Sequence, residues 1–239
     1  MSVVTCKNCS NGFEGKFCPA CGQAAATHQI DLHYFLHDIP HSVLHIDKGF
    51  FYTLKRLSTR PGDMLSEYLA GKRVNHFRPI AFVIIMSTIC TVISSILRQF
   101  FLNADPANLP FFAKYPSLLI FILIPAISLI TWACFFRRKY NYWEHLLINT
   151  YLGAYLNIFL LLVTIIRVIV HLVDIDISMF LTTMVIMFLF MTYYSMAYGA
   201  LMHEKGKWAL NALLLSIMDG TIATVYFTSF AITGLSRFW

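Results

Sequence analysis

Long apolar runs fill the sequence beyond residue 78, and they limit what this chain can fold into. A helix needs about 20 predominantly apolar residues to cross the hydrocarbon core of a bilayer. The whole chain is 58% hydrophobic and only 13% charged, compared with about 25% charged residues in a typical soluble domain. We therefore predict an all-α polytopic membrane protein with about five transmembrane helices, or four or six if the second or fifth run is divided differently. The runs are 79–97, 118–136, 146–170, 177–198 and 208–232.

The charges divide the chain into parts and predict its orientation. Residues 1–78 hold nine of the 18 Lys and Arg residues and six of the 12 Asp and Glu residues. We divide the chain into a zinc ribbon (1–27), an amphipathic juxtamembrane helical segment (28–78) and a transmembrane helix bundle (79–239). With the N-terminus in the cytoplasm, 14 of the Lys and Arg residues fall inside and four outside. Because basic residues concentrate in cytoplasmic loops, we predict a cytoplasmic N-terminus and a C-terminus outside.

Four cysteines near the N-terminus form a C-x2-C pair followed, eight residues later, by a second one. Each C-x2-C knuckle turns two thiolates toward one centre, and two knuckles complete a closed tetrahedral site. Thiolates suit zinc, with iron as the alternative metal. Structural disulfides or a redox dithiol are the other interpretations, and a reducing cytoplasm disfavours disulfides. We predict a structural zinc ribbon that serves as a docking surface or a fold staple, with Cys6, Cys9, Cys18 and Cys21 as ligands.

The juxtamembrane segment predicts two cytoplasmic helices. Apolar residues recur at helical spacing over 42–60, which indicates an amphipathic helix lying on the membrane surface or on the cytoplasmic end of the bundle. A shorter helix over 63–70 should end at Gly71. Basic side chains here could hold anionic lipid headgroups, or could serve only as positive-inside anchors. The headgroup candidates are Lys55, Arg56, Arg60, Lys72, Arg73 and Arg78.

Polar residues inside the apolar runs are the candidates for a function in the membrane. Asn149, Asn157, Arg167 and His171 recur along the third run as one polar face, and Asp219 lies near the middle of the fifth run. Such residues are costly in lipid and tend to face the bundle interior. Together they predict either a path for a proton, an ion or a small solute, or an internal hydrogen-bonded strut.

Catalytic and nucleic-acid-binding patterns are scarce. The sequence contains no nucleophile elbow, no H-E-x-x-H motif and no Walker loop. The pairs Glu144-His145 and His203-Glu204 are weak candidates for a catalytic metal, since each falls at the predicted end of a span. The net charge of +6 is explained by inside-facing anchors, and no aromatic platform accompanies the basic residues. We expect neither enzymatic activity nor nucleic-acid binding.

Taken in order, the motifs of the first 80 residues resemble a known family. They are Cys6-x2-Cys9, Phe13-x-Gly15-x-Phe17-Cys18-x2-Cys21-Gly22-Gln23, Asp47-x-Gly49-Phe50, Thr53-Leu54, Arg60-Pro61-Gly62, Tyr68-Leu69-x-Gly71-Lys72-Arg73 and Pro79. The sequence resembles the uncharacterised bacterial zinc-ribbon membrane family labelled domain of unknown function 3667. This resemblance implies a cytosolic ribbon joined to a helix bundle in the bacterial inner membrane. It implies no activity.

Two functions from different classes fit the sequence. In the first, the protein is a scaffold or sensor embedded in the lipid bilayer, and its zinc ribbon docks a protein partner. In the second, it is a small transporter or channel with a polar path near Asp219 and the third transmembrane helix. A homo-oligomer is compatible with both functions.

Overall fold

The fold was analysed in a computed structural model of the chain. The structure describes residues 3–27, 30–32, 34, 48–102, 115–135, 140–174 and 179–202. A two-stranded antiparallel sheet opens the chain, with Val4 paired to Phe13 and Thr5 to Gly12. The elements are β1 (Val4–Thr5), β2 (Gly12–Phe13), α1 (Lys48–Thr59), α2 (Pro61–Leu69), α3 (Pro79–Phe101), α4 (Pro116–Cys134), α5 (Tyr142–Val173) and α6 (Met179–Leu201).

Helices α3 to α6 form an up-and-down bundle that corresponds to the first four apolar runs. Within the described ranges, these are the helices long and apolar enough to cross a membrane, as expected of a membrane protein. The fifth predicted run, 208–232, lies outside the described residues. Pro125 lies inside α4, and the helix continues through it. Large apolar side chains on α3, α4 and α6 remain exposed on the outside of the bundle, where lipid would cover them.

Helix α5 is longer than its apolar run predicted. Its 32 residues correspond to about 48 Å, well beyond the roughly 30 Å of a bilayer core. The surplus lies at the N-terminal end, because Tyr151, in the third turn of α5, donates a hydrogen bond to the Phe77 carbonyl just before α3. Asn141 and Glu144 start the helix with a capping box: the Asn141 Oδ1 accepts from the Glu144 N–H at 2.9 Å, and the Glu144 carboxylate accepts from the Asn141 N–H at 2.7 Å.

The two juxtamembrane helices form close to where the sequence predicted them. Helix α1 covers the second part of the predicted 42–60 helix, and residues 42–47 lie outside the described part of the chain. Helix α2 begins two residues earlier than predicted, at Pro61. Proline favours the first position of a helix, because its fixed φ suits the helix and its missing N–H would have no helical partner.

The apolar face of α1 packs on the bundle. Phe50 and Leu57 are buried in the same core as the transmembrane helices. Tyr193 of α6 donates a hydrogen bond to the Leu57 carbonyl at 2.9 Å, and Tyr155 of α5 donates to the Ser58 hydroxyl at 3.0 Å. Of the two placements predicted for this helix, the structure therefore has the one on the end of the bundle.

Candidate metal centre and its docking on the helices

The four N-terminal cysteines converge on one point. Their sulfur atoms all lie within 4.8 Å of one another, and all four thiols are free. The closest pairs join the two knuckles, with Sγ–Sγ distances of 3.5 Å for Cys6–Cys21 and 3.5 Å for Cys9–Cys18. Among the described residues, this is the group of three or more His, Cys, Asp or Glu side chains that could hold a metal ion. The arrangement suits a tetrahedral ion with four sulfur ligands.

The two knuckles have the same backbone hydrogen bonds. In the first, the Ser10 N–H donates to the Cys6 carbonyl at 2.9 Å; in the second, the Gly22 N–H donates to the Cys18 carbonyl at 2.8 Å. Both turns need a left-handed residue, and Ser10 has φ 61° where Gly22 has φ 76°. Because a side chain is strained in this region, the first knuckle is intrinsically less stable than the second.

The four thiols differ in how readily they ionise. Burial opposes ionisation of Cys6, but a hydrogen bond from the Cys9 backbone and one from the Cys21 thiol lower its pKa to about 6. For Cys9, a hydrogen bond from the Asn11 backbone favours the thiolate. Burial and the neighbouring thiols, that of Cys18 first, nevertheless raise the Cys9 pKa to about 12. Four adjacent sulfurs therefore cannot all ionise at neutral pH unless a positive ion balances them.

The ribbon rests on the segment that leads into α3. Gln23 follows the second knuckle and is buried, and its Oε1 accepts a hydrogen bond from the Arg73 N–H at 3.3 Å. The Gln23 Nε2 donates to the Thr27 hydroxyl at 3.2 Å, and Lys7 donates to the Thr27 carbonyl at 3.2 Å. Gly71 lies beneath this contact with φ +95°, and a Cβ there would come within 2.9 Å of the Lys7 side chain.

Aromatic side chains hold Arg73 in place. Its guanidinium carbon lies 4.9 Å from the ring centroid of Tyr34 and 5.4 Å from that of Tyr68. The two tyrosine hydroxyls are 2.5 Å apart, so one hydrogen bond joins the rings that flank the cation. Each cation–π contact contributes about 0.5–1 kcal/mol at an exposed site. The contacts link the residues after the ribbon to α2.

A polar cluster joins α1 to α2 beside this contact. Arg56 pairs with Glu67 at 2.7 Å, and this hydrogen bond raises the Arg56 pKa although burial opposes the shift. Buried His76 lies 3.5 Å from the other Glu67 oxygen, between the rings of Tyr52 and Tyr68. Burial lowers the His76 pKa, although the Glu67 carboxylate partly opposes the effect. His76 is therefore a neutral packing residue near pH 7.

The six headgroup candidates divide into two groups. Arg56 and Arg73 interact with Glu67 and with the tyrosines, respectively, so both are held by contacts within the protein. The other four side chains are exposed on the surface, and lipid binding by them remains a prediction. They are Lys55, Arg60, Lys72 and Arg78.

Asn149 is buried where α4, α5 and α6 meet. Its Nδ2 donates to the hydroxyls of Ser128 at 3.1 Å and Thr131 at 3.0 Å, both on α4. Its Oδ1 accepts from Tyr194 and, at 3.1 Å, from Tyr198, both on α6. An amide side chain has two donor hydrogens and two acceptor sites, so all of the hydrogen-bonding positions of Asn149 are filled by side chains of two neighbouring helices, α4 and α6.

Asn157 joins a different set of helices. Its Nδ2 donates to the Ser87 hydroxyl of α3 at 3.1 Å, and its Oδ1 accepts from the Ser117 hydroxyl of α4 at 2.9 Å. The Nδ2 also donates to the Gly153 carbonyl of its own helix at 3.1 Å. Eight residues turn a helix by about 80° beyond two full turns, so both asparagines reach α4, while Asn149 also bonds to α6 and Asn157 also bonds to α3. At these two residues, the polar face predicted from the sequence is bonded to three neighbouring helices.

The remaining polar candidates are not brought to these contacts. Arg167 is half-buried near Arg98 of α3, and His171 is exposed at the end of α5. Asp219 lies outside the described residues, as do His203 and Glu204. Glu144 caps α5, and His145 is buried with its Nδ1 3.3 Å from the Tyr198 hydroxyl.

Gly62 and Gln23 make contacts between distant parts of the chain, but neither was identified as a site residue from the sequence. A methyl group on Gly62 of α2 would overlap the methyl group of Ala200 on α6 and lie 3.4 Å from the Ala197 carbonyl. Glycine inside a helix costs about 1 kcal/mol relative to alanine, so its presence there could have indicated a close helix contact. Gln23 carried no comparable signal, because its partner is 50 residues away in the sequence.

Comparison with known proteins gives one match. The model of the family described as Protein of unknown function (DUF3667) matches residues 47–91. No curated protein and no solved structure matches the chain significantly. The matched residues cover α1, α2 and the first part of α3, and the cysteine cluster lies outside them. Over residues 47–91, the match confirms the resemblance to domain of unknown function 3667.

Proposed function

We propose that the protein is an integral membrane scaffold or sensor whose zinc-loaded ribbon docks a protein partner on the cytoplasmic side of the bacterial inner membrane. The observation that carries this proposal is the placement of the cysteine cluster. One side of the ribbon is fixed to the segment leading into α3, while Val3 and Phe17 elsewhere on it are 67% and 65% exposed. A small module fixed in this way holds its free apolar side chains at a constant position next to the bilayer.

Zinc is the metal that we propose for the ribbon. A Zn–S bond of about 2.3 Å gives sulfur–sulfur separations of about 3.8 Å in a regular tetrahedron. The closest pairs, at 3.5 Å, and the upper limit of 4.8 Å lie on either side of that value. Four cysteine ligands leave no open position, so the ion would stabilise the fold of the ribbon. Iron is the alternative, because thiolates bind it as well.

Native mass spectrometry of the full chain in mild detergent tests both parts of the proposal. We expect one zinc ion per chain and a stoichiometric protein partner, both lost in Cys18→Ser. Cys134→Ser is the matched control, because Cys134 is half-buried at the end of α4, away from the cluster. Zinc retained by Cys18→Ser would contradict the metal site, and a wild-type protein without a partner would contradict docking.

The transporter alternative requires a continuous polar path. The buried amides of Asn149 and Asn157 bond to other helices, which supports the strut interpretation instead. Asp219 is the residue whose substitution distinguishes the transporter from the scaffold. Flux of protons or ions into proteoliposomes, abolished by Asp219→Asn at unchanged expression, would replace the scaffold proposal with the transporter.

A further inference from the structure

We propose that the ribbon is a metal-dependent latch that closes on residues 70–73 of its own chain, here called the latch segment. The proposal rests on the proposed function, since it requires the ribbon to bind a metal. It adds a contact site within the chain and a consequence of metal binding for the segment that leads into the membrane.

The contact itself is specific. Gln23 is only 6% exposed, and its amide joins the Arg73 N–H on one side to the Thr27 hydroxyl on the other. Lys7 adds a hydrogen bond to the Thr27 carbonyl from the first knuckle. Both knuckles therefore contribute a residue to the same small interface.

Gly71 lets the ribbon come this close. A Cβ at Gly71 would lie 2.9 Å from Lys7 Cδ and 3.2 Å from Thr27 Cγ2, and φ is +95°. A side chain would therefore be strained in the backbone and would also push against the ribbon. Gly71 follows the C-terminal end of α2, and because it has no side chain, the ribbon can pack directly against its backbone.

The position of Gln23 depends on the second knuckle. Its carbonyl accepts a hydrogen bond from the Cys18 N–H at 2.8 Å, and its neighbour Gly22 donates to the Cys18 carbonyl at 2.8 Å. The ribbon core consists of two short strands, one isolated bridge and a small cluster around Cys6, Phe13 and Cys18, with Cys21 and Ala25 packed against it. Such a small core does not hold a fold without a staple. Loss of the metal should therefore release Gln23, and with it the latch segment.

Opening the latch changes the charge presented next to the membrane. Lys72 is already exposed, whereas Arg73 is held over the rings of Tyr34 and Tyr68 and donates a hydrogen bond from its Nε to the Tyr68 carbonyl at 3.5 Å. Its backbone N–H is the group that Gln23 fixes. Without that bond, the Arg73 side chain is freer to leave the tyrosines and join Lys72 at the surface.

Amide hydrogen exchange of the full chain in detergent tests the latch. In the metal-loaded protein, we expect Gln23→Ala to speed exchange of the Arg73 amide about three- to tenfold, the effect of losing one hydrogen bond. The Lys72 amide donates to the Glu67 carbonyl, so its exchange should not change. Asn11→Ala is the matched control, because Asn11 follows the first knuckle as Gln23 follows the second and its side chain is exposed.

Two further samples separate the contact from its dependence on the metal. Gln23→Glu keeps an acceptor for the Arg73 N–H, so it should retain protection. Wild-type protein stripped with EDTA should exchange at Arg73 like Gln23→Ala, and stripping Gln23→Ala should add no further increase at that amide.

The outcomes distinguish this proposal from the proposed function. Unchanged Arg73 exchange in metal-loaded Gln23→Ala, or in stripped wild type, overturns the latch even if a partner is found by mass spectrometry. A chain without a partner whose Arg73 exchange follows the metal supports the latch and overturns docking.

Discussion

Replacing Asn149 with alanine is the sharpest test of whether the polar residues of the bundle are a strut or a path. The substitution removes four hydrogen bonds that join α5 to α4 and α6. Hydrogen bonds between transmembrane helices average about 0.6 kcal/mol, so these four account for about 2.4 kcal/mol. The small cavity left in a packed interior adds about 1 kcal/mol. We expect Asn149→Ala to lower the free energy of unfolding by about 3 kcal/mol.

The measurement is reversible unfolding in mixed micelles with increasing SDS, followed by far-UV circular dichroism. Thr88→Ala is the control, because Thr88 is exposed and, among the described residues, its hydroxyl bonds to the Ile84 carbonyl of its own helix. A surface substitution of this kind changes stability by about 0.5 kcal/mol or less. Both variants lose a polar group, but only Asn149→Ala loses bonds between helices. The difference between their free energies of unfolding therefore measures the contribution of those bonds.

The strut and the path predict opposite effects of Asn149→Ala on stability and on flux. For a strut, stability falls by about 3 kcal/mol and no ion or solute flux depends on the residue. A loss of less than about 1 kcal/mol, together with reduced flux in proteoliposomes, would refute the reasoning.

Four further substitutions test the ribbon and the segment that joins it to the helices. Gly62→Ala should destabilise the protein by about 1–3 kcal/mol in the same unfolding assay, because the added methyl overlaps Ala200; an unchanged midpoint would contradict that close approach. Gly22→Ala should cost about 1–2 kcal/mol and speed metal loss to a chelator, whereas Ser10→Gly should slow it; equal rates would show that backbone strain is not limiting. The pKa of His76 is lowered by burial, so the unfolded chain binds a proton more readily and stability should fall as the pH drops below the usual 6.5. His76→Phe should reduce this loss between pH 7 and 5, measured as the unfolding midpoint, and a profile identical to wild type would contradict it.

The sequence predicted the elements that depend on local patterns. Apolar runs of about 20 residues identify membrane helices because the bilayer sets their length, and four of the five runs lie on described helices. Two C-x2-C knuckles predict a cluster because each fixes its own pair of thiols. The family resemblance also came from local motifs and is confirmed over residues 47–91.

Contacts between distant residues could not be predicted in the same way. Gly62 and Ala200 are in contact because α2 and α6 cross at this point. The sequence around either residue does not indicate the other as its partner. The first turn of α5 lies outside its apolar run because it extends beyond the start of α3, where the bilayer no longer requires apolar residues. Steps of four predict Asn149 and Asn157 on one helix face, but they do not indicate the bonding partners, which lie on α3, α4 and α6.

The matched segment 47–91 is where the other parts of the protein meet. Gly62 brings α2 against α6, Phe77 accepts a hydrogen bond from Tyr151 of α5, and Arg73 donates one to the ribbon. These contacts lie within 15 residues of one another along the chain, on a short helix and the turn that follows it. A displacement of the ribbon therefore acts first on the turn that contains Arg73 and leads into α3. A displacement of α6 acts first on α2, the helix before that turn. This segment is therefore a covalent and hydrogen-bonded route by which the metal state of the ribbon would act on the helices.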